Sequence, residues 1–353
     1  MTGGHTPLAV AGHADRHRWA LPGPHPVAPG VHRLPLSLPQ DGLRAVNVYV
    51  IDLPDGIALI DAGWATPEAM GELRRGLAEL GRSLSDIRTV LATHIHRDHY
   101  TQAITLRREV GCRVYLGLGE RPGLTTLRRI ATDVPVSSLV TLRAAGESLL
   151  ADSILAEMQA DDRYEASIWE DPDEWLQPGK FQLGDRRLQV VHTPGHTRGH
   201  LMFVDHAAGL MFTGDHVLPH ITPSIGFELA DGGLPLGDYL DSLQAVLDLD
   251  DARMLPAHGD PVPQVHARVR ELLRHHDDRL AEALAVVVGR GPSAGGEVAR
   301  RLRWTNSRRP FEDLRDFDRM LAVCETVAHL DVLAQRGELA TESAGEITRY
   351  RRP

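Results

Sequence analysis

A chain of 353 residues, 42% hydrophobic and 24% charged, has the composition of a folded globular protein, which excludes long disorder, a collagen-like repeat and a coiled coil. Its length allows two domains, or one large domain with an appendage. A net charge of −10 offers no general attraction to nucleic acid or to an anionic membrane surface, two cysteines are too few for a disulfide framework, and no run of 18 apolar residues marks a membrane span.

Residues 1–31, rich in Gly, Pro and His and without an apolar stretch of signal-peptide type, are expected to form a loose arm, and a cytoplasmic location follows. "AVNVYVIDLPDGIALIDAGW" (45–64) carries two β-branched runs around Pro54-Asp55-Gly56 and reads as a hairpin. The next stretch predicts a helix, with Thr66 as N-cap, Pro67 at the first helical position and Gly81 just past the end. "IRTVLAT" and "RVYLGLG" (113–119) read as strands with a helix between them. From about 120 to 178 a helical insert is expected, and its later part, "EMQADDRYEASIWEDPDEW", holds eight acidic residues against one arginine. "FQLGDRRLQVVHTPGHT" and "GLMFTGDHV" return to strands ending in polar loops. "LGDYLDSLQAVLDLD" is an amphipathic helix, and "ARMLPAHGDPV" is a last strand and loop. The remainder, 263–353, reads as mostly helical with a Gly/Pro-rich break at "GRGPSAGG" (289–296).

One stretch gathers an unusual density of donors. In "TVLATHIHRDHY" (89–100), His94 and His96 point the same way as a strand runs out, and Asp98 and His99 lie on the turn beyond. A helical zinc motif spaces its histidines by four, whereas this HxHxDH spacing needs a loop at a strand end. Further donors stand in the same local setting, an apolar strand followed by a tight turn: His196 in "HTPGHTRGH", Asp215 in "FTGDH" and His258 in "LPAHGD". All of them can therefore lie along one edge of a stacked sheet pair. Imidazole nitrogen and carboxylate oxygen are the ligands that borderline divalent cations take.

In order, "LIDAGW", "THIHRDH", "HTPGHT", "TGDH" and "PAHGD" resemble the metallo-β-lactamase superfamily, and within it the glyoxalase-II-like hydrolases, over about residues 32–262. The resemblance implies an α/β fold, an αββα sandwich with the helical insert, followed by a small, mostly helical C-terminal unit that is similar to the winged-helix-like units of some members. By position it implies that His94, His96 and His196 bind one metal ion, that Asp98, His99 and His258 bind a second, and that Asp215 bridges the two. Asp61 would orient the ligand loop. Zinc is expected, with iron or manganese also suited to these donors. The implied chemistry is hydrolysis of a small-molecule thioester or ester, lactones included, by a hydroxide shared between two cations about 3.5–4 Å apart. Asp98 and Asp215 would be catalytic through the metals, and His216 or Tyr100, each beside a ligand, would donate a proton or an oxyanion hydrogen bond. The commoner dizinc β-lactamases carry a cysteine near the position of Asp215, so β-lactams are not expected substrates.

Nuclease activity on the same metals is the alternative, and the acidic insert argues against it because phosphate contacts dominate nucleic-acid affinity. The expected partner is the small substrate alone, without nucleic acid or membrane, and the apolar tail helix suggests a homodimer. His192 and His200 are expected to shape the turn around His196. Trp169, Trp175 and Tyr164 either line an acyl pocket or pack the insert. His275 and His276 are expected to face solvent or a dimer contact, and Cys112 and Cys324 to be small buried apolar groups.

Overall fold

A strand that is apolar on both faces must lie between two layers, and "AVNVYVI" is such a strand, with Val46, Val48 and Val50 on one side and Tyr49 and Ile51 on the other, all buried. The computed structural model describes residues 15–39, 43–130, 136–159, 166–226, 233–305 and 307–353. In chain order its elements are β1 (His25–Ala28), β2 (Val31–Ser37), β3 (Ala45–Leu53), β4 (Gly56–Ile60), α1 (Pro67–Glu79), β5 (Ile87–Leu91), α2 (Arg97–Val110) and β6 (Arg113–Gly117). The insert follows as α3 (Arg121–Ile130), α4 (Val136–Ala144) and α5 (Ser148–Gln159). Then come β7 (Glu174–Leu176), β8 (Gly179–Leu183), β9 (Arg186–His192), β10 (Leu201–Asp205), β11 (Leu210–Gly214), α6 (Pro235–Leu247) and β12 (Arg253–Pro256). The tail holds α7 (Val265–Arg290), β13 (Ser293–Ala294), α8 (Gly295–Ala299), α9 (Asp316–Gln335), β14 (Ala340–Ala344) and β15 (Ile347–Arg351).

Strands β1 to β7 form one sheet in sequence order, and a second runs β12-β11-β10-β9-β8. The first is antiparallel as far as β4 and parallel from there, because the helical connections after β4 and β5 cross over and return each next strand in the same direction. Tyr49, Ile51, Ile60 and Leu91 meet Leu188, Val190, Phe203 and Phe212 between the sheets. Outside the first sheet, Val48, Val50 and Leu59 pack on Leu73 and Leu77 of α1 and Ile104 of α2. Outside the second, Met202, Val204 and Met211 pack on α6, α7 and α9. The layer order is helix, sheet, sheet, helix, and every strand end that carries a predicted donor emerges on one edge.

Several expectations hold. Residues 53–56 close the β3–β4 hairpin, Thr66 caps α1 by accepting the Ala69 N–H at 3.1 Å, and Cys112 and Cys324 are buried and free. Others are corrected. Within the expected loose arm, residues 15–20 form a 3-10 turn whose Trp19 is buried, and β1 is the first strand of its sheet; residues 1–14 lie outside the described residues. The insert is not helical to its end: after α5 and a 3-10 turn at Ala166–Ile168, β7 joins the first sheet beside β6. The break at 289–296 contains the end of α7, all of β13 and the start of α8. The tail also closes with a β14–β15 hairpin against β13. His276 is buried, stacked on His329 of α9 with 3.1 Å between their nitrogens, because α7 and α9 face one another there. Trp169 is buried in the helix-backed face of the first sheet and Trp175 packs against the same cluster, so both serve packing; Tyr164 lies outside the described residues. Among the described residues no helix is long and apolar enough to cross a membrane.

Candidate metal centre

The donor cluster begins where β5 ends. Thr93 follows the strand, His94 is fully buried, His96 is the N-cap of α2, and Asp98 and His99 occupy its first turn, where the helix dipole favours a carboxylate. From the second sheet, the turn after β9 carries His196, the end of β11 carries Asp215 and the loop after β12 carries His258. Gly214 precedes Asp215 at φ +51, and a Cβ there would stand 2.6 Å from His200 Nε2 and 2.9 Å from Thr93, so only glycine lets the two sheet ends approach this closely.

The structure brings all seven expected ligands together. His94 Nε2 and His196 Nε2 lie 3.0 and 3.1 Å from His96 Nδ1. Asp98 Oδ2 lies 3.4 Å from both His99 Nε2 and His258 Nε2. Asp215 stands between the groups, with Oδ1 3.3 Å from His258 Nε2 and Oδ2 3.4 Å from His196 Nε2. Ligand atoms lie within 4.8 Å of one another in the sets His94/His96/His196, His94/His99/Asp215 and Asp98/His99/His258.

Three of the rings are held by their other nitrogen on a carboxylate or backbone carbonyl, and a fourth, His94, meets the Thr93 hydroxyl through Nδ1 at 3.0 Å. His99 Nδ1 donates to Asp61 Oδ2 at 2.9 Å, His258 Nδ1 to the Ala45 carbonyl at 2.7 Å and His196 Nδ1 to the Ser224 carbonyl at 2.9 Å. Asp61 also accepts the Thr93 N–H at 2.7 Å and its hydroxyl at 3.0 Å. These bonds leave Nε2 of the three rings as the atom facing the cluster, the arrangement in which a carboxylate or carbonyl fixes the tautomer of a ligating imidazole. His99 Nε2, His258 Nε2 and Asp215 Oδ1 are buried with no hydrogen-bond partner. Orphaned lone pairs converging from imidazole and carboxylate fit divalent cations, whereas burying them empty costs the full desolvation of each group.

The electrostatics agree. Burial and the neighbouring imidazoles hold His94 and His96 well below the usual histidine range, so both are neutral donors. For His99 burial alone would do the same, but Asp98, Asp61 and Asp215 outweigh it and hold the ring well above that range. Burial would raise Asp98, yet His99 and His258 keep it well below the usual carboxylate range. The carboxylate half of the cluster demands positive charge.

Two expected catalytic residues stand elsewhere. Tyr100, one turn into α2, points into the helix–sheet core and donates its hydroxyl to the Glu170 carbonyl at 2.6 Å. His216 belongs to none of the ligand sets; its buried ring packs against Tyr239, and burial pushes it down to about 3, so near neutral pH it is an uncharged imidazole and not an imidazolium acid. His192 and His200 do shape the turn. His192 donates to the Arg198 carbonyl at 2.8 Å, while His200 engages Thr193 through Nδ1 at 2.8 Å and the Asp215 N–H through Nε2 at 3.2 Å. Sequence reasoning passed over Thr93, Ser224 and Asn47. The first two contribute through ordinary polar groups with no motif, and Asn47 had one signal, a lone amide within a β-branched run.

Comparison with known proteins covers the stretch of chain that carries these residues. The model of the Metallo-beta-lactamase superfamily matches residues 41–258. The chain is similar to the "Probable metallo-hydrolase YqjP" of Bacillus subtilis, 25% identical over 298 residues that cover 82% of this chain and 87% of that one. It is also 25% identical to the "Lactamase-like protein aptB" of Emericella nidulans over 72% of this chain, and spans 65% of that protein's length. Among solved structures it is similar to a metallo-beta-lactamase family protein from Thermus thermophilus, with a TM-score of 0.74, 28% identity, and 92% and 99% of the two chains covered.

Proposed function

The chain belongs to the metallo-β-lactamase superfamily of metallo-hydrolases, and on that premise we propose that it cleaves a small-molecule ester or thioester bond, lactones included, with two divalent metal ions. Zinc is the first choice, with iron or manganese also compatible with the donors. The observation that carries the reading is Asp215, whose two oxygens face the two ligand groups at 3.3 and 3.4 Å. Two cations bound there would supply Lewis acidity and ease the deprotonation of water at neutral pH. The residues do the rest. His94, His96 and His196 would hold one ion and Asp98, His99 and His258 the other, while Asp61 and the Ala45 and Ser224 carbonyls keep three imidazoles aimed inward. The Tyr100 hydroxyl is taken by the Glu170 carbonyl and the His216 ring is uncharged, so neither supplies an acidic proton, which favours a leaving group that departs readily as an anion, such as a thiolate.

One objection to the nuclease alternative weakens and another arises. Glu170, Asp171, Asp173 and Glu174 of the insert pair with Arg107, Arg108, Arg113 and Arg128, so half of the eight acidic residues in its later part are largely neutralised and its charge weighs less than composition suggests; Asp161, Asp162 and Glu165 lie outside the described residues. However, α9, the long helix that a winged-helix-like tail would offer to a nucleic-acid groove, is buried along Val323, Cys324, Leu330 and Leu333.

The reading is tested with zinc-reconstituted protein against an acyl-CoA, S-lactoylglutathione, a lactone, p-nitrophenyl acetate and single-stranded RNA, counting metal in the same samples. Thioester or ester turnover, two ions per chain and an inactive Asp215→Ala control are expected. Cleavage of RNA alone would overturn the proposed substrate class.

A further inference from the structure

Asn47 is fully buried in β3 between Val46 and Val48, and a buried amide is stable only when its donors and acceptor are all matched. Its Nδ2 donates to the Pro256 carbonyl at 2.9 Å and the Gly259 carbonyl at 2.8 Å, and its backbone N–H donates to the Ala257 carbonyl at 2.7 Å. The Tyr49 hydroxyl adds a second bond to Pro256 at 2.7 Å, and Ala45 accepts from His258 itself. Thus the carbonyls of 256, 257 and 259, on both sides of the ligand His258, are bound by residues 45–49 of the opposite sheet. The amide cannot flip: Arg33 Nη1, a donor only, lies 3.1 Å from Asn47 Oδ1 and also donates to the Trp19 carbonyl at 2.6 Å, which leaves the NH2 facing the loop.

We propose that Asn47, locked by Arg33, is a positioning residue for His258 and thereby sets the affinity of the ion held by Asp98, His99 and His258. The inference rests on the two-metal reading above. If Asn47 merely stapled the two sheets, its loss would lower stability and treat both ions alike. A positioning role affects one ion.

The test titrates Zn(II) into metal-free wild-type protein, Asn47→Ala, Asn47→Asp, Tyr49→Phe and His258→Ala under chelator competition, with Co(II) absorption spectra in parallel and near-UV circular dichroism to establish folding. Wild-type should bind two ions. In both Asn47 variants one ion should keep its affinity and the other weaken by roughly 10–100-fold, with Tyr49→Phe a milder case. The weakened ion should be the one lost in His258→Ala. If Asn47→Ala fails to fold, the isosteric Asn47→Asp carries the test. Equal weakening of both ions, or no weakening, would overturn the proposal. Wild-type protein that binds fewer than two ions would instead sink the two-metal reading, and the inference with it, before any variant is compared.

Discussion

Asp61 shows how much one buried carboxylate can organise. It sits at φ +59, a left-handed conformation that Asp and Asn tolerate better than other side-chain-bearing residues, and from there it binds Thr93 at two atoms and His99 at Nδ1. Replacement by Asn keeps the backbone but removes the charge that holds His99. Zinc affinity of Asp61→Asn is therefore expected to fall by about 10–100-fold, measured by chelator competition. Wild-type affinity in that variant would show that His99 is oriented by something else. Polar atoms in this site act in pairs, a donor nitrogen facing inward and its twin tied outward, so single substitutions should change metal binding more than they change folding.

At the scale of elements, the donor-bearing loops depend on close backbone contact. A Cβ on Gly199 would lie 2.2 Å from the Glu120 N atom, so the turn between β9 and β10 fits against the turn after β6 only without a side chain, and Thr197 bonds Glu120 across the same contact. Gly199→Ala should destabilise by about 1–3 kcal/mol, since backbone must move. Gly81, at φ +70 with open space around it, should cost about 1 kcal/mol as Ala, the left-handed penalty alone. Thermal unfolding of the two variants side by side checks the order, and an equal loss would argue that the loop contact is soft.

The molecule as a whole has a tail that is part of its core. Val323, Ala328, Leu330 and Leu333 of α9 share one cluster with Leu139 and Leu142 of α4 and Leu236 and Leu243 of α6. Gly226, two residues past the carbonyl that orients His196, lies where a Cβ would meet the Cys324 carbonyl at 2.9 Å. Removing residues 263–353 should accordingly expose the apolar face of α4 and α6 and yield a protein without cooperative unfolding, readable by calorimetry. The α7–α9 contact also predicts a pH dependence. Burial pushes His329 down to about 4 from 6.5, against a raising bond to the Glu325 carbonyl, with Arg279 and His275 adding to the depression and His276 stacked on it. Because the folded value lies below the unfolded one, the unfolded chain takes up the proton first, so stability is lost as pH falls from about 6.5 towards 4. The loss amounts to the order of 3 kcal/mol at about 1.36 kcal/mol per unit. Chemical denaturation at pH 7 and pH 4.5 should show it, and His329→Leu should make the difference smaller, the remainder coming from the other buried histidines held low, His276 among them.

Some of this was written in local sequence. The hairpin at Pro54-Asp55-Gly56, the capped helix from Thr66 and the seven donors at strand ends are legible because each depends on a few neighbouring residues: turn chemistry, periodicity and spacing act over three to six positions. Tertiary structure alone decided the rest. That the Tyr100 hydroxyl is taken by the Glu170 carbonyl, that His216 packs on Tyr239, that four acidic residues of the insert pair with arginines of α2, α3 and β6, that His276 is buried and that Asn47 reaches the His258 loop all depend on contacts between segments far apart in the chain. A residue beside a ligand in sequence can face the opposite way in space, because a helix turns it by about 100° per residue. Five of the donors escape that ambiguity, because strand ends all meet one edge; Asp98 and His99 reach the same edge from the first turn of α2, directly after β5.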